Sequence, residues 1–328
     1  MRPRLVACVG ALLLLAGCSM GSAIPASSLA TSGVTSPLPS PARPATTYDL
    51  AAGTCWTGEL LGDDPQVSLN LASALAISYF DVAYALKDRP TFRQKLSCSA
   101  DHAIEVYRLV PASSVTPEVT DYGTLMHPNA LDYAQLSAAV KQACADRPLA
   151  AAAARSGVAG ASLQPAVGDG IRTSWAPATF EQWNRGQRDF ACLLVQQTPS
   201  TLRYGTLRSA ALPTGLRTCI ASAARIFVDC ARRHDREQIA VLDVTGAVLT
   251  GSFPFRYQGE GAAFYRPLDR ACTAYLRVVS TDRKLSGVAE IDPGSWPDDH
   301  GVYGVLCEAD TPPGTPSRVT EGSVYDRP

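Results

Sequence analysis

Two short stretches of the chain carry side chains whose types and spacing suit chemistry. Cys98 is followed by His102 and Glu105, and Cys230 by His234 and Glu237, so both read C-x3-H-x2-E. Only four histidines occur in 328 residues, which makes the recurrence informative. An imidazole beside a carboxylate is the raw material of a metal site or of a general acid–base pair. One constraint opposes both. On a single extended strand, positions three apart point to opposite faces, so His102 with Glu105, or His234 with Glu237, would not converge on one ion. Nor is the order that of HExxH, where helical spacing aligns two histidines. The alternative is structural, with each histidine beside a disulfide and hydrogen-bonding the turn that launches a strand. A structural role and a ligand or partner contact both stay open from the spacing.

The elements around the motifs repeat as well. Each motif runs into a strand-like stretch, Ile104 to Val110 and Gln238 to Val244. Each is preceded by one cysteine, Cys55 or Cys219, and followed by two. Cys144 and Cys272 lie in helix-like sequence, while Cys192 and Cys307 sit in short apolar strands, Phe190 to Val195 and Val302 to Cys307. The eight cysteines from Cys55 onward therefore divide four and four in one order of elements. This predicts an α+β fold of two tandem disulfide-stapled small domains, each a mostly antiparallel sheet with a packed helix. The copies span 48–198 and 212–310, and the short connection Thr198 to Pro213 implies that they pack together. Leu60 to Lys95 reads as an insertion outside the shared core, with Val67 to Leu86 apolar enough for a buried helix. Ala150 to Gly160 is poor in large side chains and reads as a helix end and loop. Residues 311–328 read as a mobile tail.

The N-terminus has its own signature. Arg2 and Arg4 precede an apolar run from Leu5 to Ala16, too short to span a bilayer and suited to a secretory signal over residues 1–17. Leu15-Ala16-Gly17-Cys18 resembles the lipobox of bacterial lipoproteins, which implies that Cys18 carries acyl chains such as palmitate as the first mature residue. Residues 18–47, rich in Ser, Pro, Ala, Gly and Thr, form a disordered tether. The expected location is the extracytoplasmic face of the membrane, an oxidising place where paired cysteines are bridged.

Beyond this, Gly53-Thr-Cys55-Trp56, the first C-x3-H-x2-E, a cysteine-bearing helix, and Trp183, Gly186, Arg188 and Cys192 in W-x2-G-x-R-x3-C resemble the septum-formation domain family of exported actinobacterial proteins. The resemblance covers 48–198 well. It covers 212–310 less well: Trp296, Gly301 and Cys307 recur at other spacing, and nothing matches Arg188. It implies a link to cell division and no established chemistry. If both copies fold alike, their bridges should match, and consecutive pairing is the favoured arrangement: Cys55–Cys98, Cys144–Cys192, Cys219–Cys230 and Cys272–Cys307.

The remaining candidates are Trp183 and Arg188, residue types favoured at interfaces. Against that stands a structural role, Trp183 in the core, Gly186 closing a helix and Arg188 capping carbonyls. Trp56 reads as core, and His127 and His300 as surface loop residues. Arg217, Arg225, Arg232, Arg233 and Arg236 make a local basic concentration, either a solvated face or a contact for anionic polymers or lipid headgroups. The composition, 46% hydrophobic and 18% charged with a net charge of −1, excludes a mostly disordered chain and offers no basic excess for nucleic acid. There is no phosphate loop, no CxxC and no zincin helix, so no catalytic residue, metal or cofactor is assigned. The functional expectation is a lipid-anchored, non-enzymatic binding or scaffold module, with the membrane and an unidentified envelope or division protein as partners. The alternatives are an envelope hydrolase or metal-dependent enzyme using His102 or His234, and a lipoprotein carrying a small ligand.

Overall fold

The computed structural model describes residues 50–59, 65–87, 89–115, 121–126, 131–145, 149, 151, 155–168, 170–209, 212–221, 226–254, 261–298, 301–310 and 323–326. The expectations for the leader, Cys18, the tether, His127, His300 and Arg225 lie outside them. Among the described residues no helix is long and apolar enough to cross a membrane.

In chain order the elements are β1 (Thr54–Glu59), α1 (Pro65–Leu75), α2 (Tyr79–Lys87), β2 (Thr91–Leu96), β3 (His102–Pro111), the single turn α3 (Ala112–Val115), α4 (Leu131–Cys144), β4 (Ser162–Pro165), β5 (Ile171–Pro177), α5 (Phe180–Asn184) and β6 (Asp189–Ser200). Then follow β7 (Thr218–Ala221), β8 (Ile226–Val228), β9 (Arg236–Asp243), α6 (Thr245–Leu249), α7 (Ala262–Val279), β10 (Ser286–Glu290) and β11 (Gly304–Asp310). The fold is α+β, with two antiparallel sheets ordered β2-β1-β3-β6-β5 and β8-β7-β9-β11-β10.

The two sheets share one register. Cys55 stands opposite Glu105 as Cys219 stands opposite Glu237. Cys192 faces Arg108 and Trp175, and Cys307 faces Ala240 and Ala289, each pair at the same offset from its motif. Even the irregularity recurs: the ladder slips one residue at Tyr107 in the first sheet and at Ile239 in the second. Disulfides join Cys55 to Cys98, Cys144 to Cys192, Cys219 to Cys230 and Cys272 to Cys307, all within a copy. By loop entropy each contributes about 3–4 kcal/mol.

Each sheet has its helix because the apolar spacing demands one. Leu136, Val140 and Cys144 recur every fourth residue along α4 and are buried against Trp175 and Phe190. Phe264, Leu268, Ala271, Cys272, Tyr275 and Leu276 make the equivalent stripe on α7, facing Ile239, Val305 and Cys307. Cys144 and Cys272 then tie each helix to the centre of its sheet.

The structure corrects several expectations. Val67 to Leu86 is two helices rather than one, broken where Ala76 adopts a positive φ of 55°. They are not outside the core, because Ala72, Val82 and Ala85 are buried in the first sheet's cluster. Thr91 to Lys95 is no insertion at all: it lies in β2, the counterpart of β8. β4 falls in the first copy's sequence yet pairs with β9 of the second sheet, Leu163 opposite Leu242. Within 311–328, the segment 323–326 is packed, with Ser323, Val324 and Tyr325 buried.

One close backbone contact lies between α7 and β10, where a methyl group on Gly287 would lie 2.3 Å from the Cys272 carbonyl carbon. Such overpacking against a stapled helix backbone cannot be relieved by side-chain rotation. Gly287→Ala is expected to cost about 3 kcal/mol in urea unfolding, whereas Gly304→Ala, which meets nothing within 4 Å, should leave the midpoint nearly unchanged.

Candidate functional site

Both histidines are buried at the point where the chain leaves its disulfide for the central strand. His102 Nδ1 lies 2.9 Å from the carbonyl oxygen of Ala100, and His234 Nδ1 lies 2.7 Å from that of Arg232. A carbonyl only accepts, so Nδ1 carries a hydrogen in both. The imidazole thus closes the turn that follows Cys98 or Cys230. In the first copy Nε2 makes no hydrogen bond among the described residues.

The carboxylates do related work. Glu105 accepts from Tyr204 N at 2.6 Å and from Arg203 Nε at 2.8 Å, holding the turn that follows β6. Glu237 accepts from Val324 N and Ser323 Oγ, both at 2.7 Å, holding the turn at 324–326. Arg217 Nη1 stands 3.6 Å from Glu237, and its guanidinium lies 4.1 Å from the Tyr325 ring centre. Burial pushes the Glu237 carboxyl above its ordinary range, and the Val324 and Ser323 hydrogen bonds, then Arg217 and His234, oppose the shift without cancelling it.

The strand-parity constraint fails in the second copy. Asp235 is a bend between His234 and the start of β9. Alternation is broken there, and a ring nitrogen of His234, a Glu237 oxygen and Cys219 Sγ lie within 4.8 Å of one another. Cys219 is engaged in its bridge to Cys230 in this state.

The other candidates are apart from these clusters. Trp183 is buried in the first core, on a helix closed by the Thr179–Gln182 capping box and by Gly186 at a positive φ of 86°. Arg188 lies with its guanidinium 5.7 Å from the Trp183 ring centre, where capping of carbonyls was the expectation. Trp56 is core, its indole N–H bonded to Thr54 Oγ1. The basic concentration is not one face: Arg217 is buried, Arg236 pairs with Glu308 and Asp310, and Arg232 and Arg233 are exposed.

A cleft of about 230 Å³ opens between the sheets, lined by Tyr107, Lys141, Gln164, Thr173, Val241 and Asp243 among others. Lys141 Nζ donates to Asp243 Oδ2 at 2.8 Å and ties α4 to β9. Burial alone would raise the Asp243 carboxyl, but the Lys141 charge and hydrogen bond and the Thr245 contacts hold it below its usual value. Neither histidine lines this cleft or the cavities of about 370 and 190 Å³ at α7 and beside Gln182. Sequence reasoning missed Arg203, Ser323, Val324 and Tyr325, and read Arg217 as part of a basic concentration rather than as the partner of Glu237. The available signal was a serine followed shortly by a tyrosine after each closing strand, Ser200 with Tyr204 and Ser323 with Tyr325.

Comparison of the chain with protein-family models, with curated proteins and with solved structures gives no match.

Two outcomes are expected from these contacts. Glu237→Gln leaves the Arg217 guanidinium buried without a counter-charge and should cost about 3 kcal/mol in urea unfolding. Glu105→Gln, whose Arg203 partner is 38% exposed, should cost about 1 kcal/mol. For the cleft pair, a depressed native pKa means stability present above the unfolded aspartate value, near 3.8, and lost as pH falls through the lower native value. Lys141→Met should therefore cost about 2 kcal/mol at pH 7 and less at pH 2, read as the difference between urea midpoints.

Proposed function

We propose that this chain is an exported, lipid-anchored lipoprotein acting as a binding or scaffold module on the extracytoplasmic face of the membrane, with a link to septum formation. The observation that carries the reading is how the two C-x3-H-x2-E motifs are used. Their imidazoles and carboxylates are bonded to backbone and side chains within this chain. Chemistry-bearing residues spent on holding turns support a role exercised through surfaces.

Those surfaces carry apolar side chains in water. Phe80 on α2 is 79% exposed and Phe227 on β8 is 72% exposed, with Val67, Leu69, Tyr84 and Ile226 around them in sequence. Exposed apolar groups of this size suit contact with another protein. Four disulfides among the described residues agree with an oxidising compartment. The enzyme alternative needs His102 or His234 on a cleft wall, and neither lies on one of the three cavities above. A ligand carrier needs a largely apolar pocket on the order of 300–1,000 Å³; the cleft between the sheets is smaller, and the cavity of about 370 Å³ at α7 is lined by Arg266, Asp269, Arg270 and Thr273.

The test is made in an actinobacterial cell with the full chain. Wild type should partition with the membrane and yield an N-terminal peptide starting at Cys18 with acyl chains, while Cys18→Ser should not. A fluorescent fusion should be enriched at division sites. Even labelling of the envelope in all growth phases would remove the septal part, and a soluble, unacylated wild type would remove the anchor.

A further inference from the structure

We propose that the Cys219–Cys230 bridge is the oxidised form of a metal site for a zinc-class cation, with Cys219, Cys230, His234 and Glu237 as its four ligands. Three donors are already gathered, since Cys219 Sγ, a His234 ring nitrogen and a Glu237 oxygen lie within 4.8 Å of one another and all three residues are buried. Around a tetrahedral zinc with bonds of roughly 2.0–2.3 Å, donors stand about 3.3–3.8 Å apart. The cluster therefore needs shifts of about an ångström, within the reach of side-chain torsions. The fourth donor, Cys230 Sγ, is bonded to Cys219 and becomes available when the bridge opens.

The imidazole is prepared for the role. Its Nδ1–H is donated to the Arg232 carbonyl at 2.7 Å, the outer-shell arrangement that fixes tautomer and ring plane in metal-ligating histidines. Charge also balances. Two thiolates and a carboxylate with a divalent cation leave one negative charge, and Arg217, buried and 3.6 Å from Glu237, supplies the compensating positive one. The same arginine and glutamate cancel in the bridged state, so metal uptake does not change the net buried charge.

The bridge is the one whose opening disturbs the chain least, because it closes 11 residues while the others close 35, 43 and 48. The first copy lacks the constellation. Its Glu105 carboxylate is drawn to Arg203 and Tyr204 N, and among the described residues no second donor group of this kind is found.

The chemistry is a two-electron exchange followed by ligation. A dithiol attacks one sulfur of the bridge, the S–S bond breaks, Cys219 and Cys230 become thiols, and the dithiol closes to its own disulfide. The cation then displaces both thiol protons to solvent and forms two metal–sulfur bonds, with His234 Nε2 and a Glu237 oxygen completing the four.

The proposal does not depend on where the chain resides or what it binds, and it is tested with the full chain and Co²⁺ as the probe. After dithiol treatment and anaerobic desalting, the chain should take up one equivalent of Co²⁺. It should show the ligand-field and sulfur-to-cobalt absorption of a tetrahedral thiolate centre, bleached by Zn²⁺. The oxidised chain and the Cys219→Ser/Cys230→Ser variant, which keeps three bridges, should show neither. His234→Gln, checked first for native circular dichroism when oxidised, should weaken Co²⁺ binding at least about tenfold. Alkylation mapping of the Zn²⁺ form should find Cys219 and Cys230 protected and the other three bridges intact. A thiolate–cobalt spectrum retained by the double serine variant would overturn the assignment. So would a reduced, folded chain without uptake, or a bridge that opens only when the native spectrum is lost with Zn²⁺ present.

Discussion

A buried carboxylate at the middle of each sheet holds the rest of its copy in place. Glu105 and Glu237 sit opposite the first cysteine of their copies, in the central strands β3 and β9. Each offers oxygens to a backbone N–H that arrives from beyond the closing strand. A charge in that position is tolerable only with donors supplied, so the returning turn is required by the strand. The turn brings a tyrosine in both copies, Tyr204 stacked on Tyr107 and Tyr325 under Arg217. The histidine and the bridge then define where the strand begins.

From that common frame the copies diverge by how much water they exclude. In the first sheet β6 reads Phe190 to Val195 without a polar interruption, and both its faces are buried. In the second, β11 exposes Leu306, and its buried Glu308 pairs with half-buried Arg236. At matching positions of the two motifs, Ile104 and Val106 are buried in a second core, whereas Arg236 and Gln238 are half-buried and Arg236 carries ion pairs. The ion partner of the central glutamate differs accordingly, half-exposed Arg203 in one copy and buried Arg217 in the other.

Much of the frame could be read from residue spacing, and the reason is covalent. Cysteines mark where distant elements meet, so their four-plus-four order carried the sheet-and-helix plan with it. What escaped was governed by contacts with no periodic trace. The bend at Asp235 depends on a turn after a disulfide, and strand parity misjudges residues on either side of it. The packed turn at 324–326 is three residues in a polar, proline-containing stretch, with nothing to announce that a buried carboxylate waits for it. Ser162–Pro165 is a four-residue strand ending in proline, too short to show alternation and paired outside its own copy. The break between α1 and α2 falls at Ala76, a residue that ordinarily extends helices.

The crossing of β4 into the second sheet has a consequence for how the polypeptide is made. Its partner, Ala240–Asp243, lies more than seventy positions later, so during N-to-C synthesis Leu163 waits without its strand partner until the first part of the second copy has emerged. The interval leaves a short sticky edge open to wrong pairings, which holdase-type chaperones would suppress. It also closes an evolutionary route. Once one duplicate lends a strand to the other, neither half can be deleted or shuffled into another gene without tearing a sheet, and the two must descend together.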